Sequence, residues 1–306
     1  MQAVTRIDPA VVFPPLELRW STANTTASGD LTEGDIGTSF YTHADSAIYL
    51  VGSANNDTDE YDSHVIAHEW GHYLEDKLSK SDSIGGPHGS GDRLDMRVSF
   101  SEGFAYALAA ILLQDSRVRD SFGQAQGSGF SFDVESNQTL NPGWYSEASV
   151  QSILYDIADS DADGVDQIAT GLAAIYQVMA SDAYRSSSAL ASLYLFISEL
   201  NRQFPQHREN VDALVTNQAI SGRDKWGAGE TNDAGESSVL PVYRQANIAV
   251  TQSLCTSSEF NSVLEPSVNK LGNSVFVRYA DLTSGTYTIS VEPLPGATRI
   301  NPVLTL

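Results

Sequence analysis

The sequence predicts an α+β protein. A β-rich N-terminal part leads into one motif-bearing helix, a mainly helical part follows, and a short β region ends the chain. Three observations predict this order. Residues 1–60 hold short runs of β-forming residues, separated by Thr-, Asn- and Gly-rich turns. From residue 61 to 217, apolar residues recur mainly at helical spacing. Beyond 240 alternation returns, with Tyr287, Ile289 and Val291 on one face and Thr286, Thr288 and Ser290 on the other.

Taken in order, residues 16–20, 38–41 and 47–52 are the N-terminal strands. Residues 61–79 form the motif helix: Val65, Ile66, Ala67, Tyr73, Leu74 and Leu78 supply its apolar face, and Asp59, Glu60 and Asp62 place negative charge at its start. Gly71 inside a helix costs about 1 kcal/mol relative to Ala, so a neighbouring segment is expected to pack closely there. Trp70 reads as core. A Gly-, Ser- and Asp-rich loop covers 80–98. A second helix begins near Ser101, with Phe104, Ala107, Leu108, Ile111 and Leu112 at helical spacing. Further helices are expected at 147–158, 165–181, 187–203 and 208–217, then a polar loop at 221–238. In the last region, 274–279 is expected to pair with 286–291. The chain thus divides into a main unit, 1–240, and a C-terminal β region, 241–306.

Composition excludes several function classes. The formal net charge of −22 repels phosphate backbones, so neither nucleic acid nor an anionic membrane surface is an expected partner. The longest apolar run, 104–113, is too short to span a bilayer and reads as a core helix. Cys255 is the single cysteine, so no internal disulfide forms and the redox compartment stays open. The start of the sequence lacks the charged-then-apolar pattern of a secretion signal, which leaves a cytosolic protein or one whose signal and propeptide have been removed.

The chemistry concentrates in His68-Glu69-Trp70-Gly71-His72, an H-E-x-x-H motif. Residues four apart share a helix face, so His68 and His72 can hold one metal ion. Glu69, turned by about 100° from His68, lies beside the ion, where it can take a proton from water. Catalytic zinc usually takes three protein ligands and keeps a fourth position for water. Position 78, where one large class of such enzymes has its third histidine, is Leu78. Glu102, which opens the second helix 30 residues after His72, is the favoured third ligand. Glu75 is a rival, since it shares the face of both histidines, although a supporting role behind them suits it better.

HEWGH followed by Ser101-Glu102-Gly103-Phe104-Ala105 resembles the gluzincin metallopeptidases. The long gap between the motifs, together with the segment 145–159, looks most like the fungalysin and thermolysin-like group. The resemblance covers roughly residues 47–180. It implies a zincin-type catalytic domain over 1–240, Zn²⁺ on His68, His72 and Glu102, and Glu69 as general base. The implied activity is that of an endopeptidase acting on protein or peptide substrates, secreted or periplasmic after removal of a leader. Relatives place a Tyr or His donor at the oxyanion, and Tyr145 is the candidate. The strand 47–52 is expected at the cleft edge. The C-terminal β region resembles the start of a prepeptidase-type β-sandwich. The chain departs from the pattern at Tyr106, where relatives often have an aspartate that orients a zinc histidine, so that role is expected to fall to Asp95 or Glu75. The competing reading is a secreted binding or adhesion module with a degenerate, inactive site.

Other polar residues rank lower. Asp159, Asp161 and Asp163 match the first half of a calcium loop, but the twelfth position is Thr170, so they are a candidate partial Ca²⁺ site only. Asn55, Asp57 and Asp59 are a weaker one. His64 reads as cleft-lining or exposed, and His43, His88 and His207 as solvated.

Overall fold

The computed structural model describes residues 1–306 apart from 137, 162–163, 249, 255–267, 281, 293–294 and 296–306. Asp163 and Cys255 therefore lie outside the described residues. The architecture is mixed α+β, with eight α-helices and three small sheets among the described residues.

A short helix α1 (Gln2–Ile7) precedes β1 (Glu17–Trp20), β2 (Phe40–Thr42) and β3 (Ala47–Leu50). These three strands form one sheet in the order β1-β3-β2. β1 runs parallel to β3 with Leu18 opposite Ile48, and β2 runs antiparallel with Tyr41 opposite Ile48. All four residues of β3 are buried, as suits a central strand. The strand expected at the cleft edge is thus central, and β2 is the edge strand facing the motif helix.

A second sheet, antiparallel throughout, runs β4 (Gly52–Ser53), β5 (Asp57–Thr58), β6 (Arg117–Phe122) and β7 (Ser128–Asp133) in that order. The β6–β7 hairpin carries a weak sequence signal: its residues are largely polar and exposed, and alternation is confined to a few apolar positions such as Phe130 and Phe132.

The motif helix α2 spans Ser63–Leu78, preceded by a separate 3-10 turn at Asp59–Tyr61. Asp62 makes no side-chain cap. Its carboxylate instead accepts from Ser121 N (3.0 Å) and Ser121 Oγ, tying the helix start to β6. The next helix, α3 (Met96–Leu113), begins one turn earlier than its apolar pattern indicates, because Asp95 caps it by accepting from Arg97 N at 3.0 Å. α3 is long and apolar enough to cross a membrane, yet most of it is buried between α2 and α4 (Glu147–Ala158), as a core helix is. The three helices cross closely through glycines. A Cβ on Gly71 would sit 2.9 Å from Ala105 Cα, and one on Gly103 would sit 2.5 Å from Val150 Cβ and 2.7 Å from Glu147 O.

Beyond them, α5 (Gly171–Met179), α6 (Asp182–Arg185), α7 (Leu193–Gln203) and α8 (Arg208–Asn217) complete the main core. Glu230 organises the polar loop that follows, accepting from Gly222 N, Asn232 N and Tyr194 OH.

The C-terminal part departs from expectation. β8 (Tyr243–Ala246) pairs in parallel with β9 (Phe276–Tyr279), while 286–291 is exposed and carries no strand. An aromatic face wins over local alternation. The Tyr243 ring lies 5.7 Å from Phe276 and 5.0 Å from Trp226, and Arg278 sits over Trp226. Residues 269–271 are tied to the loop before α3 through Asp95 N to Asn269 O (2.8 Å) and Leu271 N to Arg93 O (2.9 Å). Lys270 is fully buried and donates to Pro87 O (2.6 Å) and Asp92 Oδ2 (2.9 Å).

Candidate metal centre

Helical spacing places His68 and His72 one above the other on α2, and the glycine-mediated crossing brings Glu102 of α3 to meet them. His68 Nε2 lies 3.2 Å and His72 Nε2 3.3 Å from Glu102 Oε2, with 3.1 Å between the two imidazole nitrogens. Three ligands about 2.0–2.1 Å from a tetrahedral ion would stand about 3.3 Å apart, so the triangle has the size of a metal's ligand set. His68 and Glu102 are buried, and Glu102 Oε2 makes no hydrogen bond of normal geometry, although His88 Nε2 also stands 3.3 Å from it. A carboxylate oxygen so placed among imidazoles is what a cation would satisfy. Burial would raise the Glu102 pKa, but His72, His88 and His68 outweigh it and hold the carboxyl well below the usual range.

Glu69 is buried beside the triangle but is not one of its corners. The edge strand β2 holds it: Tyr41 N donates to Glu69 Oε2 at 2.7 Å. Burial pushes the Glu69 carboxyl up to about 7, with Glu102 adding to the rise and His72 opposing it. That is the range in which a carboxylate can both take and return a proton near neutral pH.

Of the two groups expected behind the histidines, one is placed there and the other is not. Asp95 is spent on capping α3 and pairing with Arg97 (2.8 Å). Glu75 does serve, through one intermediary: His72 Nδ1 meets Ser101 Oγ at 3.2 Å, and Ser101 Oγ donates to Glu75 Oε2 at 2.5 Å. Glu75 is therefore no fourth corner of the triangle. His68 Nδ1 has no hydrogen-bond partner, and the Tyr106 ring packs on that imidazole with centroids 4.1 Å apart. A ring thus fills the position where relatives carry a carboxylate.

His88 joins the site, contrary to its reading as a solvated histidine. Its Nε2 lies 3.3 Å from Glu102 Oε2, and its Nδ1 meets Glu147 Oε2 at 2.8 Å. Glu147 opens α4, so the loop histidine is oriented from a helix start. Tyr145 is not brought to the cluster. It is buried, and its hydroxyl engages Asn232 Oδ1 (3.1 Å) and Pro142 O (3.2 Å). Because Tyr145 precedes the helix cap Ser146, its ring turns into the core and leaves Glu147 to face the site. His64 is also buried, with Nε2 at 3.1 Å from Asp115 O. His43 is exposed and pairs with Asp76 (2.6 Å), and His207 closes the 3-10 turn before α8.

Of the candidate calcium loop, Asp159 ends α4 and its Oδ2 accepts from Asp161 N at 3.1 Å.

A two-His, one-Glu triangle with a carboxylate held beside it could hold a metal ion, and the sequence relates the chain to a metallopeptidase family. Residues 14–208 match the family model described as the Mycolysin C-terminal domain, a stretch that runs from before β1 to the start of α8 and contains His68, Glu69, His72, His88 and Glu102. The chain belongs to that family. No curated protein matches the chain.

Proposed function

We propose that the chain is a zinc-dependent endopeptidase of the gluzincin type, with His68, His72 and Glu102 as ligands and Glu69 as general base. The observation that carries this reading is the pairing of a ligand-sized triangle with a buried non-ligand glutamate held by an edge strand. Zinc bound there would polarise a peptide carbonyl and make water a competent nucleophile at neutral pH. Glu69 would take the proton of the attacking water and return it to the leaving nitrogen, its burial raising the carboxyl above the ordinary range. Tyr41 N fixes the carboxylate's direction. His88, oriented by Glu147, replaces Tyr145 as the candidate donor to the developing oxyanion. Substrates are proteins or peptides, met outside the cytoplasm as the gluzincin resemblance implies.

One observation favours a binding module with lost turnover: His68 Nδ1 lacks the acceptor that zinc histidines normally have. A casein-cleavage assay with and without chelator, run beside zinc analysis, separates the two readings. The protease reading requires chelator-sensitive cleavage and one tightly held zinc. It also requires that Glu69→Gln keep the zinc and lose about 10²–10⁴-fold in turnover. Zinc without cleavage in the parent protein would establish the binding module.

A further inference from the structure

Asp57 on β5, Asp59 in the turn that feeds α2, and Asp120 on β6 offer carboxylate oxygens that all lie within 4.8 Å of one another. Strand pairing puts them together: Asp57 is opposite Phe122, and continuing that register sets Asp59 against Asp120. Asp59 is only 3% exposed. Its Oδ2 accepts from Ser39 Oγ, but its Oδ1 has no hydrogen-bond donor, and neither has the buried Oδ1 of Asp57 or of Asp120. Among the described residues no Lys, Arg or His forms an ion pair with any of the three. Three carboxylates converging without a counter-charge cost the fold desolvation and repulsion unless something positive joins them.

We propose that Asp57, Asp59 and Asp120 form a second cation site, separate from the His-Glu triangle, that takes a hard divalent ion of the calcium type. The donor set consists of oxygens alone, which suits Ca²⁺ and lacks the nitrogen or sulfur that draws zinc. Asp57 and Asp120 are half-buried, so the ion enters from solvent and water completes its shell. Burial and mutual repulsion push Asp59 to about 7 and Asp57 and Asp120 to about 6, the strain a cation relieves. The ion ties the β4–β7 sheet to the start of α2, four residues after Asp59. It works beside the Asp62–Ser121 bond, which fixes the same junction.

The test is Ca²⁺ titrated by calorimetry into the zinc-loaded full chain stripped of calcium, with zinc content followed throughout. The parent should bind Ca²⁺ with a Kd below about 1 mM. At a hundredfold excess over Kd, its unfolding midpoint should rise by about 5 °C. Asp120→Asn and Asp57→Asn should each weaken the binding at least tenfold and lose the midpoint rise, while remaining at least as stable as the parent without calcium. Unchanged affinity and midpoint rise in both variants would overturn the site, as would absence of Ca²⁺ binding by a folded parent. Neither readout depends on peptide cleavage, so the proposal stands or falls apart from the protease reading.

Discussion

Each imidazole at the centre has a second ring nitrogen, and the three are held in different ways. His72 is braced through Ser101 to Glu75, His88 directly by Glu147, and His68 only by the face of Tyr106. The Glu147 carboxylate accepts from the near nitrogen of His88, which fixes ring direction and stabilises the doubly protonated ring, so the far nitrogen of His88 keeps a proton and is the one best prepared to donate. His88→Ala should therefore lower kcat by about 10²-fold with little change in KM or bound zinc, because such a donor acts mainly in the transition state. Steady-state kinetics with metal analysis checks this, and loss of the metal would make His88 a ligand instead. His68, Glu69 and His72 were legible in the sequence because four-residue spacing on a helix is a local property. Glu102 was legible because its helix carries a clear apolar period. His88 was not, since a histidine in a Gly-rich loop looks the same whether it is solvated or held.

At the scale of elements, the site is a product of two helix crossings. Gly103 lets α4 approach α3 until the Glu147 backbone and the Val150 side chain fill the space of a missing Cβ. Gly103→Ala should cost about 1–3 kcal/mol, because one of the crowding atoms is backbone and cannot swing away. It should also weaken zinc binding, since Glu102 and Glu147 are displaced together. Urea unfolding and a zinc titration read the two effects. The loop that carries His88 is pinned from far along the chain by Lys270, which reaches Pro87 O and Asp92. Lys270→Met keeps length and removes charge, leaving a buried carboxylate without its partner, and should cost about 3 kcal/mol. A parallel loss of kcat would show that the C-terminal segment holds His88 in place. Unaltered kcat in the folded variant would limit Lys270 to stability.

At the scale of the whole molecule, an acidic chain buries several carboxyl groups. Burial raises Asp59 and Glu75 to about 7 and Asp57 and Asp120 to about 6, above the unfolded range near 4. A raised carboxyl binds more protons in the folded state. Its contribution to stability is full below pH 4 or so and is lost as pH rises through the folded pKa. In calcium-free buffer, these groups should make the unfolding midpoint fall between about pH 4 and 7. Asp59→Asn should flatten that fall, and melting curves of the two proteins across this range measure the difference.

By itself the sequence determined the elements whose signal is local. These are the motif helix, α4 and α8 nearly to the residue, and the glutamate helix apart from its first turn. Tertiary structure alone decided what depends on distant partners. Edge strand β2 holds Glu69 although β3 carries the stronger strand signal, and β9 pairs with β8 along an aromatic face. His88, Glu75 and the three aspartates acquire their neighbours from segments that only the closed chain brings together. Periodicity encodes which face of an element is buried. It carries no record of which loop will be tied down against that face, because that choice is made by long-range burial and hydrogen bonding once the helices have crossed.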